Sequence, residues 1–189
     1  MTETIKVGFK RLNDNAIIPS KAFPTDSGFD LYASKDVIIG PGETTVVPTG
    51  IAVQLPEGYE AQVRPRSGVT SKTKLRVQLG TIDNAYRGEI GVIVDNIRTP
   101  TLIIEDLGVN SYVIQEDYDV HAETLDGDFE EIDRPKYSIM DGSYVVRKGD
   151  KLAQLVIQPL PTVEAYEVEG ELEETERGEG GFGSTGVRE

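Results

Sequence analysis

The chain has no cysteine and a single histidine, His121. The first absence excludes a disulfide framework and thiolate chemistry. The second makes a histidine-held metal or a Ser-His pair a poor reading of any site. No apolar run approaches the ~20 residues that a membrane helix needs, and the N-terminus lacks a signal-peptide pattern. A soluble, cytoplasmic protein with no membrane contact is therefore expected. Positive charge is scarce too: 19 Lys and Arg stand against 33 Asp and Glu, a net charge of -14. A field of that sign opposes non-specific contact with nucleic acid, and no direct binding of that kind is expected. It leaves room for a small anion held in a local basic pocket. At 189 residues the chain suits one domain with a real core and an elaboration.

The negative charge is unevenly placed. Between Pro100 and Ser143 there are twelve acidic residues against only Arg134 and Lys136, a net -10. Residues 164–176 hold seven glutamates. The remainder is close to neutral, with Arg64, Arg66, Lys72, Lys74 and Arg76 gathered in one stretch. Strand-like runs at 6–12, 37–39, 44–48, 50–55 and 59–63 are short and separated by Gly- and Pro-bearing turns. That rhythm predicts an all-β sandwich or barrel. Residues 102–104 and 112–114 predict further short strands inside the acidic segment. The rhythm resumes at 144–146, turns at Gly149-Asp150 and runs on through 152–157.

Five clusters carry candidate chemistry. The chain is organised around Gly80-Thr81-Ile82-Asp83-Asn84-Ala85-Tyr86-Arg87-Gly88, where an acid and an aromatic lie three residues apart between two glycines. Asn84 and Gly88 are turn formers, so Ile82 and the apolar run at 90–94 are predicted to be the arms of a hairpin. In Gly28-Phe29-Asp30-Leu31 an acid sits between apolar residues that alternate as in a strand. A buried unpaired charge is costly, so Asp30 calls for a cation or the water around one. Asp26, nearby, reads as a turn residue. Arg64-Pro65-Arg66-Ser67-Gly68-Val69 predicts a short helix opening at Ser67 and Gly68, whose free N–H groups beside a guanidinium suit a phosphate. Lys151-Leu152-Ala153-Gln154-Leu155 puts one amide into a buried strand; the plain alternative for Gln154 is the polar face of an edge strand. The tail from Arg177 to Gly186 has too little apolar surface to fold alone. Its glycines, hydroxyls and lone Phe182 suit a loop that wraps phosphate and covers a flat group.

In this order the five clusters closely resemble the five motifs of the trimeric dUTPases, and the chain resembles the bacteriophage type with an insertion between the third and fourth motifs. The resemblance spans most of the chain outside residues 100–143. It implies an all-β, jelly-roll-like barrel formed by residues 1–99 and 144–170. It also implies an inserted acidic subdomain at 100–143 and a flexible C-terminal arm at 171–189. The implied assembly is a homotrimer with three shared active sites, the arm of one subunit closing over a neighbour. The implied reaction is Mg²⁺-assisted hydrolysis of dUTP to dUMP and pyrophosphate by water attack on the α-phosphorus, which limits uracil incorporation into DNA. Asp83 matches the acid that orients and deprotonates the water, and Tyr86 the ring beneath the sugar. Asp30 matches the acid that holds Mg²⁺ through its waters. Arg66, Ser67, Gly68 and Gln154 match phosphate-side contacts. Gly80 lies in the stretch whose main chain, just before Asp83, is expected to read uracil. Phe182 matches the ring that stacks on the base, with Arg177, Gly183, Ser184 and Thr185 closing on the phosphates.

Two departures accompany the resemblance. Val77 and Gln78 stand in a hairpin where several relatives carry Asn, a departure that bears on side-chain help to the base and leaves main-chain recognition as expected. The insertion resembles one associated with regulatory proteins in some phage dUTPases, so a repressor-like protein bound at 100–143 is the implied partner, weighed against a solvated decoration. A phage-encoded enzyme of this kind works in the host cytoplasm. A dCTP deaminase of the same broad fold is disfavoured by Asp83-x-x-Tyr86 and the Phe-bearing tail. A pure regulatory binder is disfavoured by the intact motif set.

Overall fold

The computed structural model describes residues 4–99, 105–106, 112–113, 121–127, 129–131 and 142–180. Six strands open the chain: β1 (Gly8–Arg11), β2 (Gly28–Tyr32), β3 (Val37–Ile39), β4 (Thr44–Pro48), β5 (Ile51–Gln54) and β6 (Tyr59–Pro65). The short helix α1 (Ser67–Lys72) comes next, then β7 (Leu75–Val77), β8 (Gly80–Ile82) and β9 (Gly91–Asn96). Within the acidic segment lie β10 (Glu105–Asp106), β11 (Tyr112–Val113), β12 (His121–Glu123) and β13 (Phe129–Glu131). Two strands, β14 (Tyr144–Val146) and β15 (Lys151–Pro159), complete the barrel. The expected all-β, jelly-roll-like protomer is what the chain forms, and the short helix begins at the expected Ser67.

Two sheets carry the motifs, one in the order β2-β15-β6-β8 and one in the order β4-β9-β7. The strands alternate because one face of each sheet is buried. In β6, Ala61 and Val63 point inward and Arg64 outward; in β9, Val92, Val94 and Asn96 are the inward residues. Leu31, Val63, Val94 and Leu155 meet in one apolar core. The helix is held at its end by Thr73, whose hydroxyl donates to the Val69 carbonyl at 2.7 Å and accepts from the Leu75 N–H at 3.0 Å. Asp26 is the expected turn residue, its carboxylate accepting from the Phe23 N–H at 2.8 Å.

The predicted hairpin across residues 82–94 does not form. β8 pairs with β6, while β9 pairs with β4 and β7 in the other sheet. The link between them is too long for a tight turn, and its contacts pull it apart. The Asn84 amide donates to the carbonyls of Pro56 and Tyr59, at 2.6 and 3.0 Å. Ile90, fully buried, donates its N–H to the Ile51 carbonyl at 2.8 Å. The stretch is a crossing between sheets.

The described part of the acidic segment is joined to the barrel. β12 lies between β13 and β14 in the sheet β13-β12-β14-β3, and Ala122 and Glu123 are buried. Glu123 pairs with Arg98, whose guanidinium lies 4.4 Å from the centre of the Tyr144 ring. The predicted strand at 102–104 lies outside the described residues; the one at 112–114 is met by β11. Beyond Leu160, whose N–H bonds the Gly58 carbonyl at 2.7 Å, the chain stays exposed to Glu179.

Candidate active site

Asp30, Gln154 and Arg64 are opposite one another across β2, β15 and β6. Period-two alternation puts them on the outer face of that sheet. Asp30 meets two cations: Arg66 Nε lies 3.0 Å from its Oδ1 and Lys151 Nζ 2.9 Å from its Oδ2. Its side chain is only 13% exposed, which is why it is paired. The hydrogen bond to Asp30 in turn holds the Lys151 ammonium above its ordinary range. Arg66 Nη1 also donates to the Lys151 carbonyl at 2.9 Å. Arg66 is the N-cap of α1, so the open N–H groups of Ser67 and Gly68 come directly after it.

Gln154 is on an internal strand rather than an edge, since β15 is flanked by β2 and β6. Its amide donates to the Pro65 carbonyl at 3.1 Å. Gly28 makes room for it: a Cβ there would stand 2.7 Å from the Gln154 Oε1 and 3.0 Å from its Cβ. Gln154, Arg64, Pro65, Leu79 and Gly80 line a cavity of about 510 Å³, within the usual range for small ligands.

Asp83 and Tyr86 belong to the crossing after β8. Asp83 is exposed and its carbonyl accepts from the Tyr86 N–H at 3.0 Å. The Tyr86 ring, 45% exposed, lies over Gly88, where a Cβ would meet its hydroxyl at 2.4 Å. That hydroxyl bonds the Glu89 carbonyl at 3.0 Å. β8 is the last strand of its sheet, so among the described residues the main-chain groups of Gly80 to Ile82 on the side away from β6 have no strand partner.

The residues therefore fall into two groups. Ile82 is opposite Ala61 in β6, whereas Arg66 lies beyond the far end of that strand. At ~3.3 Å per strand residue the ladder separates Asp83 from Arg66 by about 20 Å. Asp30, Arg66 and Gln154 are brought together; Asp83 and Tyr86 are not brought to them within one chain. Arg177, in the exposed segment, donates from Nε to the Gly180 carbonyl at 2.8 Å. Phe182, Gly183, Ser184 and Thr185 lie outside the described residues. Sequence reasoning misses Lys151 as a partner of Asp30 and Gly28 as the space for Gln154. Both stand inside the five motifs, and their roles emerge only across paired strands.

The family model for dUTPase matches residues 14–119 and 139–186. The chain belongs to the dUTPase family.

A deoxyuridine 5'-triphosphate nucleotidohydrolase of Gloeothece citriformis is 38% identical over 185 residues, covering 97% of this chain and 98% of that protein. The dUTPase of Staphylococcus bacteriophage 80alpha, solved with dUPNHPP, has a TM-score of 0.79 at 35% identity, covering 97% of this chain and all of that one. A mutant dUTPase from phage phi11 of S. aureus, whose structure describes coordination of a structural Mg(II) ion, has a TM-score of 0.71 at 33% identity. It covers 87% of this chain and 97% of that one. Among the described residues, no helix of this dUTPase is long and apolar enough to cross a membrane. They also hold no group of three or more His, Asp or Glu placed to take a metal ion.

Proposed function

We propose that this dUTPase converts dUTP to dUMP and pyrophosphate by water attack on the α-phosphorus, in a homotrimer whose sites are completed by more than one chain. The observation that carries the shared site is the ~20 Å between Asp83 and Arg66 along β6, since one nucleotide has to touch both groups. Rotation about a threefold axis brings the crossing of one subunit to the phosphate end of the next, and each subunit gives and receives once. The exposed arm from residue 160 is free to reach a neighbour, where Arg177, Phe182, Gly183, Ser184 and Thr185 close on base and phosphates.

Asp83 accepts the proton of the attacking water. A carboxylate is a weak base, so positioning and charge stabilisation supply most of the acceleration. Tyr86, held against Gly88 and partly exposed, offers its ring to the deoxyribose, where a ribose hydroxyl would clash. Uracil is read by the open main-chain edge at 80–82. Val77 is buried, and the Gln78 amide is bonded to Asp95, so neither assists the base. Arg66, the N–H groups of Ser67 and Gly68, and Gln154 take the phosphates.

Among the described residues of one chain no three carboxylates or histidines gather around a common point, and the donor set fits an ion carried by the phosphates with its water shell. Asp30 is the carboxylate that would hold that shell. When bound, the ion supplies positive charge against the triphosphate.

Subunit complementation tests the shared site. Asp83→Asn and Arg66→Ala chains, each inert alone, are expected to regain about a quarter of wild-type activity when mixed one to one, because each site draws the two residues from different chains. Mixtures as inert as their parents, in verified mixed trimers, would show that both residues serve from one chain. The Gly28→Ala variant tests the phosphate half. Displacement of Gln154 by the new Cβ is expected to raise KM several-fold with thermal stability retained. An unchanged KM would remove Gln154 from substrate binding.

The phage 80alpha enzyme is described as controlling transfer of virulence genes. With twelve acidic residues between Pro100 and Ser143, this chain carries a segment able to steer a basic protein in a salt-dependent way. A repressor-like regulatory protein is the partner that fits.

A further inference from the structure

Arg64 stands one residue outside the Pro65-Arg66-Ser67-Gly68 motif and has no part in the mechanism proposed for the site. It is opposite Gln154 in the strand ladder, and both line the cavity of about 510 Å³. Its Nε and Nη2 donate to Gln62 Oε1 at 3.1 and 2.6 Å. The Gln62 amide is fixed in turn by donating to Glu60 at 2.6 Å. This ladder along the outer face of β6 aims the guanidinium without neutralising it, since the acceptor is an amide. Among the described residues Arg64 makes no ion pair, and its Nη1 has no partner.

The neighbouring cations are differently placed. Arg66 and Lys151 share the carboxylate of Asp30, at 3.0 and 2.9 Å. Three cations and one carboxylate thus meet at this end of the sheet, in a protein of net charge -14. Arg64 is the one of the three whose charge is not already met by Asp30. A guanidinium presented to solvent on a fixed arm, beside an amide and a cavity, suits a polyanionic group of more than one phosphate.

We propose that Arg64 is a further phosphate-binding residue, gripping the β- and γ-phosphates of the substrate and the pyrophosphate they become. The proposal rests on the phosphate-side reading of Arg66 and Gln154. Its test uses full-length Arg64→Gln and Arg64→Lys proteins with dUTP as substrate and dUMP and inorganic pyrophosphate as inhibitors. Arg64→Gln is expected to raise KM for dUTP and the pyrophosphate inhibition constant about tenfold, the usual scale of one hydrogen bond to a charged group. The dUMP inhibition constant stays within about twofold, because dUMP lacks the two phosphates, and Arg64→Lys recovers most of the loss. An unchanged KM overturns the proposal. So does equal weakening of dUTP and dUMP, which marks a general disturbance of the site. Dissociation of the trimer with an unaltered KM would assign Arg64 to subunit contact instead. If the Asp83→Asn protein is inert while Arg64→Gln binds normally, only the Arg64 assignment fails; if Asp83→Asn turns over normally, the site reading itself fails.

Discussion

Asp83→Asn is expected to lower kcat for dUTP hydrolysis by about a thousandfold, the middle of the range for loss of a positioned general base. Binding of dUTP should stay within a few-fold. The asymmetry comes from the local structure. Asp83 holds the crossing through its main-chain carbonyl, which accepts from Tyr86 at 3.0 Å, and the substitution leaves that bond in place. Its carboxylate has no hydrogen-bond or ion-pair partner among the described residues, so the amide costs the fold little. What the amide cannot do is accept a proton from water. Pyrophosphate release and equilibrium binding of a non-hydrolysed analogue measure the two quantities separately. Turnover within a few-fold of the unsubstituted enzyme would show that Asp83 is not the base.

Removal of residues 177–189 is expected to leave the barrel folded and the proposed trimer intact while activity falls about a hundredfold, the scale on which loss of substrate positioning is felt. Among the described residues, the last bond tying this end to the barrel is Leu160 N–H to the Gly58 carbonyl, at 2.7 Å. Val163, Tyr166 and Leu172 beyond it are 77%, 82% and 77% exposed, so the core does not depend on the arm. The loss should fall on both base and phosphate contacts, through Phe182 and the Ser184-Thr185 pair. Thermal unfolding, sedimentation and steady-state kinetics on the shortened chain decide the matter. Full activity would reduce the arm to an unused end; loss of cooperative unfolding would make it part of the fold.

The order and chemistry of the motifs are legible without coordinates. Alternating short strands predict the all-β class, and the apolar neighbours of Asp30 place its carboxylate on a strand where it needs a cation. That need is met by Arg66 and Lys151, one 36 residues away in the chain and the other 121, and no local pattern names such partners. The hairpin reading fails for a related reason. Turn residues at Asn84 and Gly88 describe a change of direction but not the sheet that receives the next strand. Long-range bonds decide that, from Asn84 to Pro56 and Tyr59 and from Ile90 to Ile51.

The acidic segment shows the same division. Its composition marks it as separate, because twelve acids within residues 100–143 do not resemble a core. Yet Ala122 is fully buried and Glu123 nearly so, since β12 pairs with β14 and Arg98 supplies the countercharge over Tyr144. By itself the sequence determined which chemical groups the protein has and in what order, because propensity, charge and glycine placement act over a few residues. Only the tertiary structure decided which groups meet, because strand pairing joins residues far apart in the chain. That pairing set Asp30 beside Arg66 and left Asp83 at the opposite end of β6.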